Sequence, residues 1–149
     1  MIVKSHEIKN KDILKFRFFL VYGENEGLKK DVINKIRNRN GFKEIKYEES
    51  QILNNKSEFY NEVNNRSLFD EKKTYLIERC SDKISEIILD FIDKDIEDQI
   101  IINCGILEKK SKLRNILEKS TKTIVIPTYK DNIQSLIDIA KSFFTEKKN

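Results

Sequence analysis

Residues 18–30 decide the fold, and they read Phe18-Phe19-Leu20-Val21-Tyr22-Gly23-Glu24-Asn25-Glu26-Gly27-Leu28-Lys29-Lys30. The first five residues are continuously apolar, as expected of a strand that is buried on both faces of a sheet. A glycine-containing turn follows, and Asn25 is suited to cap the first turn of a helix. The stretch therefore predicts a buried strand that passes through a turn into a helix, which ends near Gly41.

The rest of the chain alternates strand-like and helix-like segments. Further strands are predicted at 42–47, 73–79, 99–104 and 121–126, the last one stopped by Pro127. Helices are predicted at 52–63, 84–92 and 109–119, and a last helix carries Ile133, Leu136, Ile137, Ala140, Phe143 and Phe144 on one face. Because parallel strands need crossover helices, this alternation predicts a three-layer α/β/α domain with a five-stranded, mainly parallel sheet.

Composition limits the classes of function. The net charge of +4 comes from 29 basic and 25 acidic residues that are interspersed, which does not require a nucleic-acid or membrane partner. No apolar run approaches the ~20 residues of a membrane span, and the N-terminus lacks a signal-peptide core, so we expect a cytoplasmic protein. Cys80 and Cys104 each follow a strand-like run and are interpreted as reduced core thiols, with a disulfide or metal site as the less favoured alternative.

The turn after the first strand resembles a phosphate-binding loop that has lost its chemistry. A working loop reads G-x-x-x-x-G-K-S/T, in which the second glycine admits phosphate, the lysine neutralises it and the hydroxyl holds Mg²⁺. Counting from Gly23, Leu28 occupies the second glycine position and Lys30 replaces the hydroxyl, while Lys29 keeps its place. The degenerate loop is thus Gly23, Gly27 and Lys29, and from spacing alone a βα turn that needs two flexible glycines is favoured over a nucleotide site.

A second requirement of nucleotide hydrolysis also fails. Enzymes of this type place an Asp-Glu pair at the end of a strand, for Mg²⁺ and for the attacking water. The corresponding strand here ends in Glu78-Arg79, which does not supply the pair. We therefore expect no catalytic residue, no metal site and no cofactor.

The basic residues Lys109, Lys110, Lys112 and Arg114 surround a predicted helix N-terminus and are candidate DNA or phosphate contacts, although a solvated helix face is favoured.

Several segments, taken in order, resemble the delta subunit of bacterial DNA polymerase III. They are Tyr22-Gly23-Glu24-Asn25 with its helix, Ser67-Leu68-Phe69 before Lys73-Thr74-Tyr75-Leu76-Ile77, Gln99-Ile100-Ile101-Ile102-Asn103, and Leu107-Glu108-Lys109-Lys110-Ser111-Lys112-Leu113. No single motif is specific, but the combination covers nearly the whole chain. The resemblance implies that residues 1–149 form the family's N-terminal AAA+-like module, a P-loop NTPase relative with a degenerate nucleotide site, without the lid and collar domains.

The same resemblance implies a function in DNA replication. Delta subunits bind the beta sliding clamp and open it without hydrolysing ATP, within a clamp loader that also contains delta-prime and tau/gamma subunits and acts on primed DNA. The loader belongs to the DNA polymerase III holoenzyme, a nucleotidyltransferase, although no activity is expected of this chain itself. No membrane partner is implied.

The family's contact with the clamp is an adjacent Leu-Phe pair on a projecting helix, which corresponds here to Leu68 and Phe69, preceded by Ser67. The pair lies in a polar stretch where it does not fit the periodicity of the core. From the residues alone, a pair that packs under its own domain is favoured; the resemblance favours a clamp anchor instead. A P-loop NTPase with an atypical loop and a DNA-binding accessory module remain the alternative functions.

Overall fold

Five parallel strands form one sheet in the order β2-β3-β4-β1-β5. The computed structural model describes residues 1–10, 12–65, 71–129 and 140–141. The strands are β1 (Phe18–Gly23), β2 (Lys43–Glu48), β3 (Lys73–Cys80), β4 (Gln99–Cys104) and β5 (Thr123–Thr128). The helices are α1 (Glu26–Asn40), α2 (Glu49–Asn54), α3 (Lys56–Asn64), α4 (Ser85–Ile92) and α5 (Lys112–Lys119), with 3₁₀ turns at Ser5–Asn10 and Asp82–Ile84.

Alternate residues of β1 enter two separate apolar clusters. Phe18, Leu20 and Tyr22 pack with side chains of α3, α4 and α5, whereas Phe19 and Val21 pack with α1 and the N-terminal segment. Since successive side chains of a strand point to opposite faces, the two clusters cover the two faces of the sheet. The protein is therefore an α/β structure with an all-parallel sheet, compatible with the expected three layers.

The caps predicted for α1 are confirmed. The Asn25 side chain accepts a hydrogen bond from the Leu28 backbone N–H, which satisfies one of the free donors at the start of a helix. Gly41 ends the helix in the left-handed conformation, with φ of 66°, and its N–H donates to the Arg37 carbonyl. A glycine adopts this conformation without the strain that a side chain would add.

Two predicted helices have different bounds in the structure. The segment predicted as one helix at 52–63 forms α2 and α3, because Asn55 ends the first and caps the second by accepting from the Glu58 N–H. The prediction that the basic helix starts at Lys109 is wrong: Ser111 is its N-cap and α5 starts at Lys112. The last predicted helix falls outside the described residues, except that residues 140–141 are helical.

Strand β5 continues through Pro127, so the prediction that this proline stops the strand is wrong. Pro127 lies opposite Tyr22 of β1, at the edge of the sheet, where a proline can direct its nitrogen away from the neighbouring strand. Val125, two residues earlier and on the same side, donates its N–H outward to the Met1 carbonyl (2.9 Å). The missing N–H of Pro127 therefore removes no hydrogen bond to β1.

The N-terminal residues run beside the outer side of β5. Ile2 forms a parallel bridge with Val125, and the Val3 N–H donates to the Val125 carbonyl at 2.8 Å. Both hydrogen bonds of Val125 on that side are thus made by the first three residues. The middle of β5 is consequently paired on both sides.

The sheet is wound in two directions. From β1 the chain crosses to β2 at the far edge, whereas from β4 it crosses over β1 to reach β5. Open sheets of this kind bind ligands outside the carboxyl ends of their strands, at the point where the winding reverses. That point lies between β1 and β4 and includes the turn after Gly23.

Among the described helices, none combines the length and the apolar character that a membrane crossing requires.

Candidate functional site at the carboxyl end of the sheet

Gly23 is required by the packing of β1 against β5. Its φ of 128° is in a region that side chains rarely adopt, and a Cβ atom there would lie 1.9 Å from the Thr128 carbonyl oxygen. Its own N–H donates to the Gly105 carbonyl at 3.0 Å. The glycine therefore serves the fold, and its N–H is already engaged within the protein.

Gly27 has no such role, so the prediction that the turn needs two flexible glycines is wrong. Gly27 lies in the first turn of α1, and the nearest atom to a Cβ built there would be the Asn25 Oδ1, at 3.9 Å. Of the two glycines in the degenerate loop, only Gly23 is needed for backbone conformation.

Lys29 occupies the lysine position of the loop, but its ammonium group is held by the protein itself. The side chain is almost fully buried, and its Nζ donates to the Cys104 carbonyl at 2.8 Å and lies 2.8 Å from the Glu26 carboxylate. The Leu28 and Lys29 amides bond to the Asn25 side chain and carbonyl. The charge and donors that such a loop would offer to phosphate are thus used internally.

The end of β3 is irregular. Its register with β4 shifts between Ile77 and Cys80, and Arg79 has a φ of 54°. The Glu78 carboxylate accepts from the Asn103 Nδ2 at 2.7 Å. The Asn103 Oδ1 is buried without a hydrogen-bond partner among the described residues. No group of three or more His, Cys, Asp or Glu side chains that could hold a metal ion occurs in the described part of the chain.

Cys80 and Cys104 lie opposite each other at the ends of β3 and β4, and both are buried free thiols. Burial, followed by the interaction with Cys104, raises the pKa of the Cys80 thiol well above its usual range. Since the thiolate is the reactive form, Cys80 is suited to packing and not to nucleophilic chemistry.

The N-terminus of α5 is already capped by a carboxylate. Asp82 accepts hydrogen bonds from the Ser111 hydroxyl (2.5 Å) and from the Leu113 (3.2 Å) and Lys112 (3.3 Å) backbone N–H groups. The Ser111 hydrogen bond is the largest cause of a lowered Asp82 pKa. A helix N-terminus attracts anions, and here the chain's own Asp82 takes that position.

The candidate DNA contacts around α5 are largely engaged with neighbouring side chains. Lys112 pairs with Glu86, and Lys110 lies 3.3 Å from Glu108. Lys109 is exposed in the turn before the helix, and its carbonyl accepts a hydrogen bond from the Asn115 Nδ2 at 3.0 Å. Beside them, a cavity of about 490 Å³ opens between the ends of β3 and β4.

The Arg114 side chain is held by contacts within the protein. Its Nε lies 2.7 Å from the Glu118 carboxylate, its Nη1 donates to the Leu107 carbonyl at 3.0 Å, and its guanidinium stands 5.1 Å from the Tyr22 ring centre. Burial, with Tyr129 as the second cause, raises the pKa of Tyr22 to about 12. Sequence reasoning missed this contact because Tyr22 and Arg114 are far apart in the chain and follow no motif.

Ser67, Leu68 and Phe69 lie outside the described residues, so their predicted role as a clamp anchor stays a prediction. In the sequence they lie between Asn64, where α3 ends, and Lys73, where β3 starts. The described residues on either side, Asn65 and Glu71, are exposed.

Comparison of the chain with models of known protein families gives no match, and comparison with curated proteins gives none either. The geometry is that of an α/β protein in which the lysine and the glycine N–H at the expected ligand position, the switch of the winding, are bonded within the protein.

Proposed function

We propose that this chain is a non-catalytic clamp-binding module, similar in role to the delta subunit of bacterial clamp loaders. It would bind the beta sliding clamp and help to open it without hydrolysing ATP. The proposal that the module is non-catalytic depends on one observation: the Lys29 ammonium is bound to the Cys104 carbonyl and to Glu26. Two of the three N–H donors of this ammonium are thus engaged within the protein, and displacing it would leave a buried carbonyl unsatisfied.

The scaffold supports this proposal. A doubly wound parallel sheet with a strand-turn-helix at the switch point is the arrangement in which nucleotide-binding proteins place phosphate. Here the Gly23 N–H, the Lys29 ammonium and the N-terminus of α5 are all engaged internally. The fold is thus maintained by contacts that do not need a nucleotide, which fits a protein whose function depends on another surface.

We assign the clamp contact to Leu68 and Phe69, with Ser67 beside them. An apolar anchor of this kind, inserted into a hydrophobic pocket of the partner, is worth about 2–4 kcal/mol as a binding hot spot. The polar sequence on both sides suits the rim of an interface, where exposed residues keep water contact while the centre excludes it. In a complete loader, delta-prime and tau/gamma subunits and primed DNA would be further partners.

Binding to an immobilised bacterial beta clamp tests the proposal directly. We expect the double variant Leu68→Ala/Phe69→Ala to weaken binding by at least about thirtyfold, in line with the loss of one hot spot. The matched control is Leu14→Ala/Ile106→Ala, which truncates two apolar side chains that are 50% and 71% exposed elsewhere on the protein. The control should bind like the unmodified chain.

Two outcomes would contradict the proposal at different points. Equal binding by the Leu68/Phe69 variant and the unmodified chain would show that the clamp contact is elsewhere. Absence of binding by the unmodified chain, at concentrations where a folded state is verified by circular dichroism, would exclude clamp binding by this module.

A further inference from the structure

A second cavity, of about 370 Å³, lies at the opposite end of the sheet, and we call it the amino-end cavity. It is formed by the segments that precede β1, β4 and β5, three neighbouring strands. Its volume is within the range of about 300–1,000 Å³ that is usual for small-ligand sites. The degenerate phosphate loop, Gly23, Gly27 and Lys29, does not contribute to its described lining.

The amino-end cavity is strongly basic. Four cations line it and one carboxylate accompanies them; the cations are Lys15, Arg17, Lys94 and Lys122, and the carboxylate is Asp95. Of the ion pairs between described residues, none includes any of these five side chains. The lining therefore holds four basic residues against one carboxylate, and a bound anion would be attracted by this excess of positive charge.

Uncharged groups hold these cations in place. The Arg17 Nη1 donates to the Leu14 carbonyl at 2.6 Å, and the Lys122 Nζ donates to the Ile92 carbonyl at 2.9 Å. The Lys94 ammonium stands 5.4 Å from the ring centres of both Tyr60 and Phe91. Such contacts orient a cation but leave its charge available to a ligand.

The cavity also has an apolar part. Phe16, Phe18 and Ile96 contribute to its lining, and the Lys15 ammonium lies 5.4 Å from the Phe16 ring centre. A single carboxylate ligand would balance too little of the charge, whereas a phosphate ester carries about −1.5 to −2 at neutral pH. Phe16 and Phe18 are 9% and 1% exposed and do not offer stacking platforms, so the apolar contact open to a base or sugar is mainly with the half-buried Ile96.

We propose that the amino-end cavity binds a nucleoside phosphate, either as a free nucleotide or as part of a single-stranded nucleic acid. The cations would bind the phosphate oxygens, and the apolar side would contact the base or sugar. This site is separate from the loop after β1. It also lies at the end of the sheet opposite to the usual ligand position of such folds.

The experiment measures binding of two probes, a nucleoside triphosphate by calorimetry and a fluorescein-labelled single-stranded oligodeoxynucleotide by anisotropy. We expect Lys15→Gln/Lys122→Gln to weaken binding of at least one probe about tenfold or more, since it removes two charge-assisted contacts. If the probe is the oligonucleotide, the slope of log K against log salt should fall by about 1.4, because each phosphate contact contributes about 0.7.

The matched control is Lys43→Gln/Lys46→Gln, which removes the same charge at two exposed residues of β2 outside the cavity and should change binding less than about twofold. Lys94→Gln is a second amino-end variant that acts through a different segment, and it too should weaken binding. All three lysines of the amino-end variants are exposed, so circular dichroism should show the unmodified fold.

Three results would overturn the proposal. They are an absence of binding by the unmodified chain to both probes at millimolar nucleotide, an equal loss in the Lys43/Lys46 control, and binding of inorganic pyrophosphate as tight as that of the nucleotide. The last result would show a site for phosphate alone, without the nucleoside. Clamp binding is measured separately, so its success or failure does not affect these outcomes.

Discussion

The carboxyl and amino ends of the sheet both carry lysines and arginines, but the two sets have different partners. At the carboxyl end, Lys29 is paired with Glu26, Lys112 with Glu86 and Arg114 with Glu118. At the amino end, the four cations of the amino-end cavity make no ion pair with a described carboxylate. A basic residue therefore indicates a binding site only when its charge is not already balanced within the fold.

From their location in the fold alone, the cations at the carboxyl end would be expected to bind a ligand and those at the amino end would not. The carboxyl end is where open α/β sheets bind ligands, yet here its donors are used for packing. The amino end has no such general role, yet it has a cavity with unbalanced charge. Three substitutions at the carboxyl end test whether its groups contribute only to stability. Their expected effects decrease from Gly23 to Lys29 to Asp82.

Gly23→Ala should have the largest effect. The substitution places a Cβ 1.9 Å from the Thr128 carbonyl oxygen at a residue with φ of 128°. Backbone strain and overpacking together should lower the free energy of unfolding by about 3–5 kcal/mol. Gly27→Ala is the control, which should leave stability unchanged or raise it by up to about 1 kcal/mol, since Gly27 is helical. Urea denaturation measures both; similar losses in the two variants would contradict the assigned packing role of Gly23.

Lys29→Met should have a smaller effect. It removes the donor to the buried Cys104 carbonyl and should cost about 1–3 kcal/mol of unfolding free energy, whereas Lys30→Met, at an exposed residue, should stay within about 0.5 kcal/mol. In the same assay, any rise in melting temperature with millimolar MgATP should persist in Lys29→Met, because we assign nucleotide binding to the amino-end cavity and not to the loop after β1. A Mg²⁺-dependent rise that disappears in Lys29→Met would instead identify an active P-loop, and the carboxyl end would then be a ligand site after all.

Asp82→Asn should have the smallest effect, and it depends on pH. The folded Asp82 pKa is lowered, first by the Ser111 hydrogen bond, so its stabilisation is present above the unfolded pKa of about 3.9 and is lost as the pH falls through the folded value. Because the side chain is exposed, we expect only about 0.5–1 kcal/mol from this cap near neutral pH.

The measurement compares the unfolding free energies of the unmodified chain and Asp82→Asn at about pH 7 and about pH 3. The difference should shrink at the lower pH, because the protonated carboxyl resembles the amide. Asp31→Asn, which alters an exposed pair with Lys35 on α1, is the control and should show a smaller difference at neutral pH. A difference that grows on acidification would mean that Asp82 does not act as a charged cap.

Local sequence was sufficient for β1, for the caps of α1 at Asn25 and Gly41, and for the parallel sheet. Each of these depends on neighbouring residues: an apolar run, a capping side chain, and the alternation of strands and helices. The position of Pro127 within β5 could not be predicted, because a proline is acceptable there only on an edge strand. The strand order that makes β5 an edge is a property of the whole fold.

The sites were less predictable for the same reason. Asp82 caps α5 from 29 residues away in sequence, and the partner of Lys29 is 75 residues away. The amino-end cations range from Lys15 to Lys122 and form no run that a sequence pattern could reveal. Conversely, the basic run at Lys109–Arg114 is prominent in the sequence, although three of its four cations are ion-paired.

The pairing of the first three residues with Val125 has a consequence for behaviour at high concentration. An exposed sheet edge offers free N–H and carbonyl groups to another molecule and can start intermolecular β-pairing. At the middle of β5 those groups are bonded to Met1 and Val3, while the opposite edge strand, β2, carries the charged side chains Lys43, Glu44, Lys46 and Glu48. The two edges are thus protected from aggregation by different means, backbone pairing on one side and charge on the other.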